Sequence, residues 1–125
     1  HGQVILMRQD GEATLLSIYI GEADKLQHKP LYTAIIEAAR EHGLAGATAW
    51  RGLMAYGAKS VIHTSRLLDM SADLPIVVEI IDEKNKVEAF CDVLDEMFET
   101  ADAGVLLTTH AIGVRRYLPA SDAEK

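Results

Sequence analysis

The chain has little cysteine, proline or aromatic character, and acids outnumber its basic residues. Among 125 residues there are one cysteine, three prolines and 6% aromatic residues. Cys91 alone cannot form an intramolecular disulfide, which fits a reducing compartment. The formal net charge is −7, from 19 acidic and 12 basic residues. Because this field repels a polyanion and no basic stripe is present, we expect no nucleic-acid partner.

Long apolar runs and processing signals are also missing. No stretch approaches the roughly 18 apolar residues of a membrane span, and no basic segment leads into an apolar one near the first residue. His1 and Gly2 fit the remnant of an affinity tag and are set aside. We therefore expect a cytoplasmic protein. With 49% hydrophobic and 25% charged residues, the composition suits one globular domain.

Catalytic and metal-binding motifs are absent from the sequence. The five histidines show no HxH, HExxH or Cys/His spacing, so no metal site is expected. No GxSxG, P-loop or GxGxxG motif occurs, and Cys91 falls on an apolar helix face, which is typical of a structural thiol. We assign no catalytic residue and expect a protein without enzymatic activity.

Hydrophobic periodicity predicts the order strand, helix, strand, strand, helix, strand. One helix follows Pro30 and stops at Gly43, and another is capped by Asp82 and ends near Thr100 at Ala103-Gly104. Alternation and β-branched residues predict strands over 13–20, 46–56, 74–81 and 105–117. This βαββαβ order is typical of a ferredoxin-like α+β sandwich, a four-stranded antiparallel sheet with two helices on one face.

The same pattern divides the chain into three parts. Residues 1–12 are predicted to be an N-terminal arm, 13–118 the domain and 119–125 a solvated C-terminal tail. Residues 57–72 match neither a strand nor a helix pattern, so they are predicted to form a flexible loop after the second strand.

One face of the predicted sheet has no helix to cover it, yet the strands place apolar side chains there. An exposed apolar patch of several hundred Å² usually marks an interaction site. We therefore expect a homo-oligomer whose sheets face inward. Alternation assigns these side chains to the uncovered face: Leu15, Tyr19, Val77, Ile81, Leu107 and Ala111.

Arg51 and the glycines near it are the first binding candidates. The guanidinium of Arg51 suits a carboxylate or a phosphate, and two hypotheses remain open: an anion site, or a structural ion pair with Glu79 on a neighbouring strand. Gly52 and Gly57 would allow a ligand or another chain to approach the backbone; a bulge and a turn are the alternative.

Two further polar clusters are candidates for anion binding. His63, Thr64 and Arg66 offer donors within the predicted loop, or are ordinary solvated loop residues. Arg115 and Arg116 lie beside Tyr117 near the end of the last strand, where they could bind a phosphate bidentately. Pairing with the acid-rich second helix is the alternative for these two arginines.

Between Leu16 and Tyr117 the sequence resembles the DUF190 family, a branch of the PII-like signalling superfamily. The matching residues are joined runs rather than one short motif, and two positions depart from the family pattern: His28, where a small residue is expected, and Met54 to Tyr56, where a phenylalanine-glycine pair is favoured. The runs are IYIGE-D (18–24), PLYTAIIEAAREHGLAGAT (30–48), RG-x4-G (51–57), IHTSRLLDMSADLPIVVEIID (62–82) and LDEM (94–97).

The resemblance implies a homotrimer with a ligand cleft between subunits. The implied ligand is an adenine nucleotide of the AMP or ADP type, since ADAG (101–104) lacks the glycine- and lysine-rich phosphate loop of nitrogen-regulatory PII proteins; no cofactor is required. The loop after the second strand would regulate a partner, a membrane transporter or an enzyme. The site residues carried over are Arg51, Gly52, Tyr56, Gly57, His63, Thr64, Arg66, Gly104, Arg115, Arg116 and Tyr117.

Two other functions remain open on the sequence. One is a trimeric metal- or anion-binding stress protein in which His63 and His110 are ligands. The other is an enzyme that hydrolyses nucleotides. Metal analysis separates the first from a nucleotide sensor, and product analysis separates the second.

Overall fold

Two helices pack on one face of a four-stranded antiparallel sheet in the computed structural model, which describes residues 6–53 and 73–119. The sheet order is β4-β5-β1-β6, so the predicted ferredoxin-like fold class is confirmed. The elements in chain order are β1 Leu6–Gly21, β2 Lys25–Leu26, β3 Lys29–Pro30, α1 Leu31–Glu41, β4 Ala47–Arg51, β5 Pro75–Asp82, α2 Lys84–Ala101 and β6 Leu106–Pro119.

The core lies between the helices and the two central strands. β1 and β5 pair so that Leu16 faces Ile80, Ile18 faces Val78 and Ile20 faces Ile76, all buried. Because alternate residues of a strand share a face, one register places all six on the helix side. The helices close this layer with Leu31 and Ile35 from α1 and Val87, Phe90 and Leu94 from α2.

The first and last strands are longer than predicted. Residues 6–12, predicted as part of an arm, are strand and pair with β6, from Leu6 opposite Pro119 to Glu12 opposite Gly113. β5 joins β1 only from Thr14 onward. Residues 6–13 and 112–119 therefore form a two-stranded ribbon that extends past the end of the four-stranded sheet. Residues 120–125 of the predicted tail lie outside the described residues.

The ends of α2 differ from the prediction. Asp82 does not cap the helix: the N-cap is Glu83, and it makes no side-chain capping bond. The Asp82 carboxylate instead accepts hydrogen bonds from the backbone N–H groups of Glu83 and Ala45, at 2.7 and 2.8 Å. At the other end, Asp102 rather than a glycine takes the left-handed conformation, with φ of 53°.

The uncovered face of the sheet is striped, and its composition corrects part of the prediction. Leu107 pairs with Ile18, and Ala111 pairs with Thr14, so both belong to the helix side. An error of one position in the parity assumed for β6 explains the mistake. The structure confirms Leu15, Tyr19, Val77 and Ile81 on the uncovered face, since they pair with one another there.

The register of the four strands arranges the side chains of the uncovered face in alternating apolar and polar rows. Trp50, Val77, Tyr19 and Leu106 form an apolar row across all four strands, and Thr48, Glu79, Ser17 and Thr108 form the polar row beside it. Three members of the apolar row are at least 43% exposed. The sheet therefore presents an apolar surface that neither helix covers.

Candidate functional site

One end of the sheet gathers the residues on either side of the undescribed segment 54–72. We call it the loop base, and it comprises residues 21–24, 51–52 and 73–75. Here β1 and β4 end and β5 begins. The backbone N–H groups of Glu22 and Gly52 donate to the carbonyls of Leu74 and Pro75, both at 2.7 Å. The chain is thus anchored immediately before and after that segment.

Hydrogen bonds to side chains add to the backbone hydrogen bonds of the loop base. The Asp73 carboxylate accepts a hydrogen bond from the backbone N–H of Ala23 at 3.0 Å, and Asp24 accepts one from Gly21 at 2.8 Å. Both contacts join the turn after β1 to itself or to the start of β5. Because these bonds involve ionised acceptors, they are stronger than neutral ones.

Gly52 is required by a close contact with Pro75. A Cβ atom built on Gly52 would lie 2.9 Å from Cγ of Pro75, closer than two carbons can approach without displacement. The glycine therefore lets β4 leave the sheet tightly against the proline ring. This packing gives Gly52 a structural explanation that needs no ligand.

Arg51 forms an ion pair, but with Glu22 and not with Glu79. The hypothesis of an Arg51–Glu79 pair is wrong, because Glu79 faces Thr48 and so lies on the opposite side of the sheet from the Arg51 side chain. Glu79 accepts instead from the indole N–H of Trp50, at 3.0 Å. The side chain of Arg51 is 58% exposed and that of Glu22 is 20% exposed.

Gly104 lies at the same end of the sheet as the loop base. It precedes β6, whose first residue Leu106 pairs with Tyr19 near the end of β1. β6 and β4 are the two outer strands, so three strand spacings, about 14 Å, separate their ends. Gly104 and Arg51 therefore lie at the same end of the sheet but at its two opposite edges.

The ribbon carries Arg115, Arg116 and Tyr117, at the end of the sheet that is opposite to the loop base. Arg115 pairs with Asp10 of β1 at 3.5 Å and donates to the hydroxyl of Tyr117 at 3.4 Å. The alternative hypothesis, that Arg115 pairs with the acid-rich second helix, is therefore wrong. Arg116 is the next strand residue and projects from the other face, so the two arginines do not form one bidentate group.

Asp10 and Arg8 complete this charged side of the ribbon and were missed in the sequence. Arg8 donates to both oxygens of Asp10, at 2.9 and 2.8 Å, and this hydrogen bond raises the pKa of Arg8. Asp10 thus lies between two guanidinium groups. The register, which pairs Asp10 with Arg115, is the signal that reveals the cluster.

Among the described residues of a single chain, Arg51 lies far from Arg115 and Arg116. Arg115 is level with Asp10, whereas Arg51 is level with Ile76 and hence with Ile20. Ten residues of extended strand separate those levels, about 33 Å along β1. Five further site candidates, Tyr56, Gly57, His63, Thr64 and Arg66, lie outside the described residues.

The described part of the chain has neither a metal-binding cluster nor a membrane-spanning helix. In residues 6–53 and 73–119, no three or more His, Cys, Asp or Glu side chains are grouped so that they could hold a metal ion. His110 is exposed and pairs with Leu15; His63 is outside the described residues. Neither described helix is long and apolar enough to cross a membrane.

Comparison with known proteins gives sequence relatives and structural neighbours. A UPF0166 protein of Aquifex aeolicus (strain VF5) is 40% identical over 78 residues, which cover 62% of this chain and 74% of the relative. The nitrogen regulatory PII-like protein CPII of Thiomonas intermedia K12, bound to ADP and bicarbonate, matches with a TM-score of 0.63 and 18% identity over 86% of this chain and 93% of CPII. Another CPII structure holds ADP, AMP and bicarbonate.

A PII-like protein from another organism agrees on the fold. A putative PII-like signaling protein from Thermus thermophilus matches with a TM-score of 0.58 and 14% identity, over 84% of this chain and 91% of that one. The family model for DUF190, described as uncharacterized ACR, matches residues 13–114. The resemblance seen in the sequence is therefore confirmed, and this chain, with its PII-like fold, belongs to the DUF190 family.

Proposed function

We propose that this chain is a PII-like signal-transduction protein that binds an adenine nucleotide of the AMP or ADP type between the subunits of a homotrimer. The observation that supports this most is the loop base. Arg51 presents a largely exposed guanidinium there, on the final residue of an edge strand. A fixed guanidinium at a strand end is well suited to bind a phosphate bidentately.

The separation of Arg51 from Arg115 and Arg116 supports a site between subunits. The phosphate-binding candidate Arg51 and the aromatic candidate Tyr117 lie at opposite ends of one sheet. A second copy of the chain is what could place the ribbon of one subunit against the loop base of another. The apolar row on the uncovered face, with Trp50 57% and Leu106 61% exposed, supplies a surface for that association.

The charge of the α2–β6 turn favours a short phosphate chain. Residues 101–104 contain an acid, Asp102, and no basic group. A triphosphate would place its additional negative charge with no cation from this turn to balance it. AMP and ADP are therefore the preferred ligands, in line with the ADP and AMP bound by CPII.

The proposed output is regulation of another protein, without catalysis. In the sequence, residues 57–72 lie between the two parts of the loop base, 51–52 and 73–75, so we expect binding at Arg51 to act on this segment. A partner such as a membrane transporter or an enzyme would bind this segment differently with and without nucleotide. Such a switch needs differential affinity for the partner and no chemical step on the nucleotide.

Calorimetric titration of the full chain with AMP, ADP, ATP and adenosine tests the proposal. We expect AMP or ADP to bind and Arg51→Ala to weaken that binding about tenfold to a hundredfold, the loss of roughly 1.5–3 kcal/mol of charge-assisted hydrogen bonding. Arg40→Ala is the matched control, because Arg40 is exposed in the last turn of α1. No heat and no thermal shift with any nucleotide would refute the proposal.

The absence of catalysis is tested separately. The protein is incubated with each nucleotide, and the mixture is separated by chromatography. We expect the nucleotide to be recovered unchanged. Product that forms in proportion to the protein, and that is lost with Arg51→Ala, would identify a hydrolase instead.

A further inference from the structure

The ion pair at the loop base connects two strands that are not neighbours. β4 and β1 lie on either side of β5, about 10 Å apart. Arg51, the last residue of β4, and Glu22, the first residue after β1, reach across the start of β5 to make contact. Glu22 is itself anchored, since its backbone N–H donates to Leu74 at 2.7 Å.

Within residues 6–53 and 73–119, this pair leaves hydrogen-bonding capacity unused on Glu22 and on Arg51. Oε2 of Glu22 contacts Nη2 of Arg51, while Oε1 of Glu22 is buried and has no hydrogen-bond partner among the described residues. Arg51 has five N–H donors, and its contact with Glu22 is its one ion pair in the described part of the chain. A buried carboxylate oxygen normally has a hydrogen-bond partner.

The other two carboxylates of the loop base accept hydrogen bonds from backbone N–H groups. Asp24 accepts from the backbone of Gly21, and Asp73 accepts from the backbone of Ala23. Glu22 is therefore the carboxylate that neutralises Arg51. A phosphate that binds Arg51 competes with this carboxylate, because two anions on one guanidinium repel each other.

We infer that Glu22 is a selectivity residue that competes with the phosphate of the ligand for Arg51. The inference rests on the proposed nucleotide site. A phosphate can form two parallel hydrogen bonds with the guanidinium, where Glu22 forms one, so it displaces the carboxylate. An uncharged nucleoside gains nothing at Arg51. Binding of a phosphate also breaks the link between β4 and β1, which couples ligand binding to the geometry of the loop base.

The test is Glu22→Gln, which removes the charge and keeps the shape. We expect ADP and AMP to bind about two- to fivefold more tightly to this variant, as expected for loss of a partly exposed ion pair that competes with the ligand. Affinity for adenosine should not change. Glu37→Gln is the matched control, since Glu37 is likewise a partner in an ion pair, with Lys29, and the substitution removes the same charge.

A double-mutant cycle separates competition from a general change in charge. In an Arg51→Ala background, Glu22→Gln should give no gain, because the group for which Glu22 competes is absent. Glu22→Asp keeps the charge and should bind no more tightly than the wild type. Thermal unfolding of each variant confirms that it is folded.

The outcomes distinguish this inference from the proposed function. If the wild type and Glu22→Gln bind no nucleotide, both fail. If the wild type binds ADP but Glu22→Gln binds it equally or more weakly, Glu22 positions Arg51 or has no effect, and the competition is refuted while the nucleotide site stands. A gain that persists in the Arg51→Ala background also refutes it.

Discussion

Trp50 donates its indole N–H to Glu79, with Nε1 and Oε1 3.0 Å apart, on the side of the sheet that neither helix covers. The bond joins the end of the apolar row to the polar row beside it. Trp50 is the only tryptophan in the chain, and it is 57% exposed in the single subunit. Its environment therefore reports whether this surface is covered in solution.

The first prediction concerns the fluorescence of Trp50. If sheets of three subunits face one another, water is excluded from the indole, and its emission lies at a shorter wavelength than in a separated subunit. Dilution should shift the emission to longer wavelength at the concentration where the mass falls from about 41 kDa, three times 13.7 kDa. Emission that stays the same while the mass falls would place the interface elsewhere.

The second prediction uses Tyr19→Lys, in the middle of the apolar row. Tyr19 is 43% exposed in the single subunit, so a lysine is tolerated there by the monomer, but an unpaired ammonium in an interface costs several kcal/mol. Light scattering should show mainly single subunits. Ala89→Lys adds the same charge at an exposed position of α2 and should leave the mass unchanged. A wild-type mass for Tyr19→Lys would contradict an inward-facing sheet.

The third prediction is that Gly52→Ala destabilises the protein. The added Cβ would lie 2.9 Å from the ring of Pro75, and the hydrogen bond from Gly52 to that residue leaves little room to move. We expect a loss of about 1–2 kcal/mol in the free energy of unfolding. Urea denaturation at a fixed protein concentration measures it.

Gly46→Ala is the matched control for Gly52→Ala. A Cβ on Gly46 meets nothing within 4 Å, and its φ lies outside the left-handed region. The substitution should be neutral or slightly stabilising, since it restricts the unfolded chain. Equal stability of the two alanine variants would show that the contact with Pro75 relaxes at little cost.

The fold was predictable because its signals are local. Alternation in β1 and β5 and helical spacing in α1 and α2 identify the core face residue by residue. The ribbon was missed because Gln9, Asp10 and Gly11 interrupt the apolar pattern. What makes a strand there is pairing, with Asp10 opposite Arg115, and that partner is about a hundred residues away in the chain.

The site was predictable in part, for a related reason. Arg51 stands out as a charge in a strand, but its partner depends on which face it occupies, and only the register decides that. Glu22 and Asp82 show the same limit, because each accepts bonds from residues remote in sequence. The separation of Arg51 from Arg115 likewise follows from strand order and not from any motif.

The last prediction concerns Cys91 on α2. Burial raises the pKa of its thiol, and the negative charges of Asp95, Asp92 and Glu88 raise it further. A raised pKa means less thiolate at a given pH, and the thiolate is the reactive form. Reaction with a disulfide reagent near pH 7 should therefore be slower in the folded protein than in urea. Its pH dependence should be displaced to higher pH.

Asp95→Asn tests the cause of this slow reaction. Removing one of the charges that raise the Cys91 pKa should speed labelling about two- to threefold near pH 7, since each pKa unit changes the thiolate fraction tenfold. Glu99→Gln, at an exposed position of α2 beyond Asp95, is the control and should have no effect. Equal rates for folded and unfolded protein would contradict the prediction, because neither burial nor the neighbouring carboxylates would then be suppressing the thiolate.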